Sequence, residues 1–211
     1  MSQPERKTIV VGVTGASGAV LAQAALRLLE ADARVARIHL VVTDTGARVL
    51  SYELGIATSD AQKLPSLLIG ERAAKTEVLP NEDVGASIAS GSYPVDAMVV
   101  IPCSMGTLAT IAAGTSDDLI ARAADVCLKE GRRLVLCVRD TPFSRIHLEN
   151  MLRAQQAGAV VMPAIVSFYH QPKTIDDLVA QYVYRVLAQM GLPQEQMYSW
   201  EGQGKGKARE A

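Results

Sequence analysis

Aromatic side chains are scarce: Phe, Trp and Tyr together make up 4% of the 211 residues, with one Trp and two Phe. The core must therefore be aliphatic. Hydrophobic residues reach 49%, and Ala, Val and Leu dominate them, which suits buried parallel strands covered by helices. Cysteine is also rare. Cys103, Cys127 and Cys137 form no C-x-x-C pair. An odd count behind a polar Met1–Lys7 stretch, with no apolar signal segment, points to reduced thiols in the cytoplasm. Neither charge is in excess: 21 Lys and Arg face 22 Asp and Glu, for a net −1. That excludes the basic face of a general nucleic-acid binder and the polybasic patch of a membrane-surface protein. No apolar run approaches the roughly 20 residues of a membrane span. His39, His147 and His170 are far apart and lack metal-ligand spacing; His39, inside an apolar run, reads as a packed histidine. There is no internal repeat, and no G-x-S-x-G elbow to support a serine hydrolase.

What is present is concentrated in the first twenty residues. Thr8–Val13 is a short apolar run, Thr14-Gly15-Ala16-Ser17-Gly18 follows, and Ala19–Glu30 is an Ala/Leu-rich helix. The order is strand, glycine loop, helix. Glycines at 12, 15 and 18 give G-x-x-G-x-x-G rather than the G-x-G-x-x-G of dinucleotide folds. Such a turn lets the backbone approach a ligand, and the helix end favours an anion, most often phosphate. Ser17 is a candidate cap for that helix or a hydroxyl offered to a ligand. A tight strand-to-helix turn with no ligand has the same signature.

The pattern then repeats. Arg37–Val42 reads as a strand, with Thr43-Asp44 capping a helix to about Leu54. Residues 58–83 are irregular, with a helix expected near 60–69 and a short strand near Lys75–Leu79. Ser90–Pro94 is a turn cluster. Asp96–Ile101 is an apolar strand stopped by Pro102, and Cys103–Thr107 opens a helix ending near Gly114. Further helices are expected from Ser116-Asp117-Asp118 to Glu130, from about Ser144 to Gln156, and from a Thr174 cap to Met190. Strands are expected over Arg132–Val138 and Ala159–Met162. The alternation implies an α/β, Rossmann-like, doubly wound and mainly parallel sheet with helices on both faces. One domain is expected over 1–191, and 192–211 is a C-terminal extension whose Gly/Lys-rich end, Gly202–Ala211, is expected to be disordered.

In such folds ligands lie beyond the carboxyl ends of the strands. The loops at 14–18, 43, 102–107 and 139–142 all follow strands and should converge there. Hydroxyls, glycines and Arg139 in those loops suit a mononucleotide phosphate. The acidic residue that a dinucleotide ribose requires is absent from the end of the second strand, where Thr43 stands, so FMN fits better than NAD. Arg122 and Lys129, on one face of one helix, together with Tyr169 and Arg185, are candidates to hold a second phosphate.

These motifs together resemble the flavin prenyltransferases of the UbiX type. The matching stretches are Thr14–Gly18, Ser90-Gly91-Ser92, Pro102–Leu108, Arg122–Val126, Leu128-Lys129-Glu130, Ile146–Leu152, Gly158-Ala159-Val160 and Phe168–Pro172, covering the chain to about residue 190 except 55–85. The resemblance implies a cytoplasmic, metal-independent prenyltransferase that moves a dimethylallyl group from dimethylallyl phosphate to N5 and C6 of reduced FMN. Prenylated FMN, the product, is the cofactor of a UbiD-type decarboxylase. It also implies FMN contacts at Gly15, Ala16, Ser17, Thr43, Ser104, Met105, Gly106, Thr107 and Arg139. Donor contacts are implied at Tyr169, Arg185, Arg122, Lys129, Ser90 and Gly91. Ser17, Glu53, Asp140, Lys129 and Arg122 would carry the chemistry, with Glu53 reaching in from a neighbouring subunit of a dodecamer. Two other readings share these residues: a flavin carrier without turnover, and an FMN-dependent cysteine decarboxylase. The stretch Pro102–Thr107 departs from the Pro-Ala-Ser-Ala-Asn-Thr type motif of the latter.

Two positions depart from the family pattern. Asp140 stands where glutamate is usual, and Ser167 replaces a smaller residue before Phe168. Aspartate reaches roughly 1.5 Å less, enough to matter for a proton-transfer group. Asp140→Glu is expected to raise the rate of prenylation of reduced FMN in an anaerobic assay. A lower rate would mean that the local backbone is adapted to aspartate.

Overall fold

The computed structural model describes residues 6–70 and 73–200; the expectation for Gly202–Ala211 lies outside them. Six strands pair in the order β3-β2-β1-β4-β5-β6, every pair parallel. They are β1 (Lys7–Val13), β2 (Val35–Val42), β3 (Thr76–Leu79), β4 (Ala97–Cys103), β5 (Arg133–Val138) and β6 (Val160–Val161). The sheet is wholly parallel rather than mainly so.

Side-chain alternation along the strands feeds two cores. One face takes Ile9, Val11, Ile38, Leu40, Val99, Ile101 and Val135 and is covered by α1 (Ala19–Ala31), α3 (Leu64–Ile69) and α7 (Ile175–Gln189). The other takes Val10, Met98, Val100, Leu134 and Leu136 and is covered by α4 (Met105–Ala113), α5 (Leu119–Lys129) and part of α6 (Arg145–Gln156). A strand buried on both faces has no polar side: all seven residues of β4 are buried. That is why it reads as a continuous apolar run.

Helix ends follow the caps in the sequence. Thr43 caps α2 (Asp44–Leu54) and Asp118 caps α5. Thr174 and Asp177 make a reciprocal capping box on α7. Two boundaries differ from expectation. β4 runs through Pro102 to Cys103, because the missing Pro102 N–H is absorbed by a register shift against β5 between Val100 and Cys103. The C-terminal segment is docked up to residue 200: Gln181 on α7 donates to the Gln196 carbonyl and accepts from the Tyr198 amide.

Among the described residues no helix is long and apolar enough to cross a membrane. Cys103, Cys127 and Cys137 are free and buried. Burial pushes their thiols well up, Cys127 and Cys137 to about 12, so they serve as core residues rather than nucleophiles.

Candidate functional site

Strand order reverses between β1 and β4, and the crevice beyond their carboxyl ends is built on Thr14. This residue is fully buried. Its hydroxyl donates to the Pro102 carbonyl (2.8 Å) and accepts from the Ser104 amide (2.8 Å). The loop after β1 and the loop after β4 are thereby locked together. The Thr43 amide adds a bond to the Val13 carbonyl, and the Arg139 amide one to the Cys103 carbonyl. The loops at 14–18, 43, 104–107 and 139 therefore converge as expected. Gly15 is required here because a Cβ would lie 2.5 Å from the Thr45 hydroxyl.

The end of α1 differs from expectation. Its N-cap is Gly18 at φ 123°, with no side-chain cap, so Ser17 does not cap it. The Glu53 carboxylate does: one oxygen accepts from the Gly18 amide (3.0 Å) and the Ala19 amide (2.8 Å). Burial raises the Glu53 pKa. The Ser17 hydroxyl, the two amides and the Arg139 charge outweigh that and hold it below its ordinary value of 4.5. Two expectations change. Glu53, expected to reach in from a neighbouring subunit, makes a contact from the C-terminal turn of α2 to the α1 loop of its own chain. And the positive end of α1 already holds an anion, so it is not free for a phosphate.

The end of α4 is the complement. Ser104 caps it, accepting from the Thr107 amide at 3.3 Å with its hydroxyl 3.1 Å from that of Thr107. Gly106 faces open space: the nearest atom to an added Cβ is the Ser104 hydroxyl at 3.9 Å. Arg139 Nε is a buried donor without a partner among the described residues, left available to a ligand acceptor. Asp140 is turned to its own backbone, accepting from the Thr141 amide at 2.8 Å.

The second set of expected residues is split by the fold. Tyr169 lies in the loop leading to α7 and Arg185 on α7, on the face of the sheet that α1 covers. Arg122 and Lys129 lie on α5, across the sheet. Arg122 Nε donates to the Ala89 carbonyl (3.1 Å) and its guanidinium pairs with Asp125 (2.8 Å). Lys129 sits with Gly91 near the amino ends of the strands, the opposite edge from Thr14. One chain therefore cannot bring all four around a single phosphate.

Sequence reasoning missed Thr14, whose only signal is a hydroxyl closing an apolar run. It also missed Tyr198 and Trp200, two of the few aromatics, in a polar tail. Trp200 meets Tyr169 edge-on at 5.7 Å, and Tyr198 lies 6.5 Å from the His170 ring.

The family model described as Flavoprotein matches residues 2–187. The chain is 42% identical, over 95% of its length and 99% of the relative's, to a flavin prenyltransferase UbiX of Alkalihalophilus pseudofirmus. It is similar to a crystal structure of AnUbiX (PadA1) in complex with FMN and dimethylallyl pyrophosphate: TM-score 0.83, 41% identity, 94% of this chain and 99% of that one. It is likewise similar to a dodecameric FMN-dependent UbiX-like decarboxylase from Escherichia coli O157:H7: TM-score 0.82, 42% identity, 92% and 100% covered.

Two outcomes follow from the geometry. Thr14→Val keeps the shape but leaves the Ser104 amide without its acceptor, while the Pro102 carbonyl keeps only the longer bond from the Thr14 amide (3.3 Å), so thermal or urea unfolding should show a loss of about 1–3 kcal/mol; a loss under about 0.5 kcal/mol would show that the bridge is dispensable. Glu53 has a lowered pKa in the folded state, so its contribution is complete above the unfolded pKa and is lost on acidification through the folded one. The stability gap between wild type and Glu53→Gln should hold steady above about pH 5 and shrink progressively below it. A gap that widens on acidification would contradict the assignment.

Proposed function

The chain belongs to the flavin prenyltransferases of the UbiX type, and from that membership we propose how its residues share the reaction. The protein transfers a dimethylallyl group to FMN, making prenylated FMN. The observation that carries the residue assignment is Arg139: a buried guanidinium N–H without a partner, at the point where the loops after β1, β4 and β5 meet.

FMN fits this crevice. Ser104, Met105, Gly106 and Thr107 at the α4 terminus, with Thr43 and Arg139, would hold it, and its phosphate would lie toward α4, since Glu53 fills the α1 end. Gly15, Ala16 and Ser17 would form the wall against the ring. Reduced FMN, when bound, supplies the N5 and C6 that accept the allyl carbon. Ser17 and Glu53 form a hydroxyl–carboxylate pair suited to holding a proton beside that ring. Asp140, one methylene short and engaged with Thr141, is positioned to take part only after its backbone contact opens.

The donor is proposed to be dimethylallyl monophosphate, with the pyrophosphate bound by AnUbiX as the related chemistry. Cleaving an allylic C–O bond requires fixed positive charge on the leaving phosphate. Tyr169 and Arg185 would meet it from one subunit, and Ser90, Gly91, Arg122 and Lys129 from a second copy, because the sheet separates the two groups within one chain. A UbiX-like relative is dodecameric, which supports this reading, and a closed homo-oligomer is the natural means of joining the two groups. Aliphatic walls and the Tyr169–Trp200 pair would keep water from the allyl cation. A UbiD-type decarboxylase is the proposed recipient of the product.

Anaerobic incubation with reduced FMN and dimethylallyl phosphate should yield flavin heavier by one isoprene unit over many turnovers; product bound without turnover would indicate a carrier. Arg139→Ala should weaken FMN binding about tenfold to hundredfold by fluorescence titration, and Ser17→Ala should block turnover. Lys129→Gln and Arg185→Ala, each impaired alone, should complement when coassembled: random mixing restores about a quarter of the sites. No recovery would mean that each site is built from one chain.

A further inference from the structure

The Ser90–Ser92 loop is held on all sides. Arg132 Nη2 donates to the Gly91 carbonyl at 2.5 Å. The Ser90 and Ser92 hydroxyls bond each other at 2.9 Å. Above Gly91 sits an ion pair, Lys129 Nζ to Glu130 Oε1 at 2.5 Å. A Cβ on Gly91 would lie 2.8 Å from Lys129 Nζ and still closer to the Glu130 carboxylate, so the pair packs directly on the glycine backbone and a side chain there would push its two ends aside. The Lys129 ammonium is therefore already matched to an anion, at the place where the reading above brings the leaving phosphate.

We propose that Glu130 is an internal stand-in for the donor phosphate: it holds Lys129 against Gly91 in the empty site and yields it when phosphate arrives. The proposal rests on the assignment of Lys129 to the donor site. Three features support it. The pair joins neighbouring residues at the end of α5, where Glu130 is the C-cap, so its parting disturbs no core contact. Both side chains retain exposure, 46% and 37%, and an ion pair so exposed is weak. A phosphate carries more charge and more acceptor oxygens than a carboxylate and binds a cation more strongly. The loop itself need not move, because Arg132 fixes it from the other side, with its second nitrogen, Nη1, buried and unpartnered. Glu130 then attenuates donor affinity and, by pairing again with Lys129, helps inorganic phosphate to leave after transfer.

The test uses inorganic phosphate as a competitive inhibitor of the full-length enzyme. Glu130→Gln should lower the phosphate inhibition constant and the donor KM about threefold to fivefold. Glu130→Asp, which keeps the charge, should stay near wild type, and thermal melts should establish that both variants fold. The gain from Glu130→Gln should vanish in a Lys129→Gln background. An unchanged or raised inhibition constant in Glu130→Gln would overturn the proposal, since a group that merely positions Lys129 would loosen phosphate when lost. Lys129→Gln alone distinguishes the two levels: if it leaves the donor KM unchanged, the donor-site assignment itself fails.

Discussion

The geometry of the site depends on one hydroxyl. Thr14 ends β1 inside the protein, and it is the donor to Pro102 and the acceptor from Ser104 that joins two strand ends across the switch point. A parallel sheet leaves its strand ends to diverge into separate loops. The Thr14 bridge makes two of them one surface, so that Ser17 and Ser104 keep a fixed relation. Buried without both partners, that hydroxyl and the backbone groups it serves would each be a liability, so the bond also enforces a single loop arrangement.

Around that bridge the chain supplies its own anions. Among the helices that begin at the crevice, α1 and α4 both present positive ends. Glu53 satisfies α1, drawing its carboxylate onto the Gly18 and Ala19 amides; α4 has only the Ser104 and Thr107 hydroxyls. In the proposed arrangement that difference would send phosphate to α4 and leave a carboxylate, lowered in pKa, beside Ser17. The same device recurs at the far edge, where Glu130 meets Lys129. In each place a glutamate of the chain meets positive charge: the α1 terminus for Glu53 and the Lys129 ammonium for Glu130.

Much of the fold was legible because local signals agreed. β4 is apolar throughout and buried throughout, and Thr43, Asp118 and Thr174 cap the helices that they precede. The convergence of the loops at 14–18, 43, 104–107 and 139 follows from parallel topology alone. What sequence spacing does not carry is contact at a distance. Glu53 lies 35 positions from Gly18 and 34 from Ala19, and nothing local to Ser17 shows that its helix is already capped. Arg122 and Lys129 share a helix face, as their spacing indicates, but which edge of the sheet that face serves is a matter of topology. The split between them and Arg185 becomes visible only when helices are assigned to opposite faces. The docking of Tyr198 and Trp200 lay hidden in a tail whose composition is polar.

The most direct measurement is a crystal structure of the protein with FMN, read for the position of the phosphate. It should lie at the α4 terminus against Ser104, Thr107 and Arg139, with the Glu53 carboxylate still on the Gly18 and Ala19 amides. A phosphate on those two amides, with Glu53 displaced, would contradict the arrangement described for both helix ends.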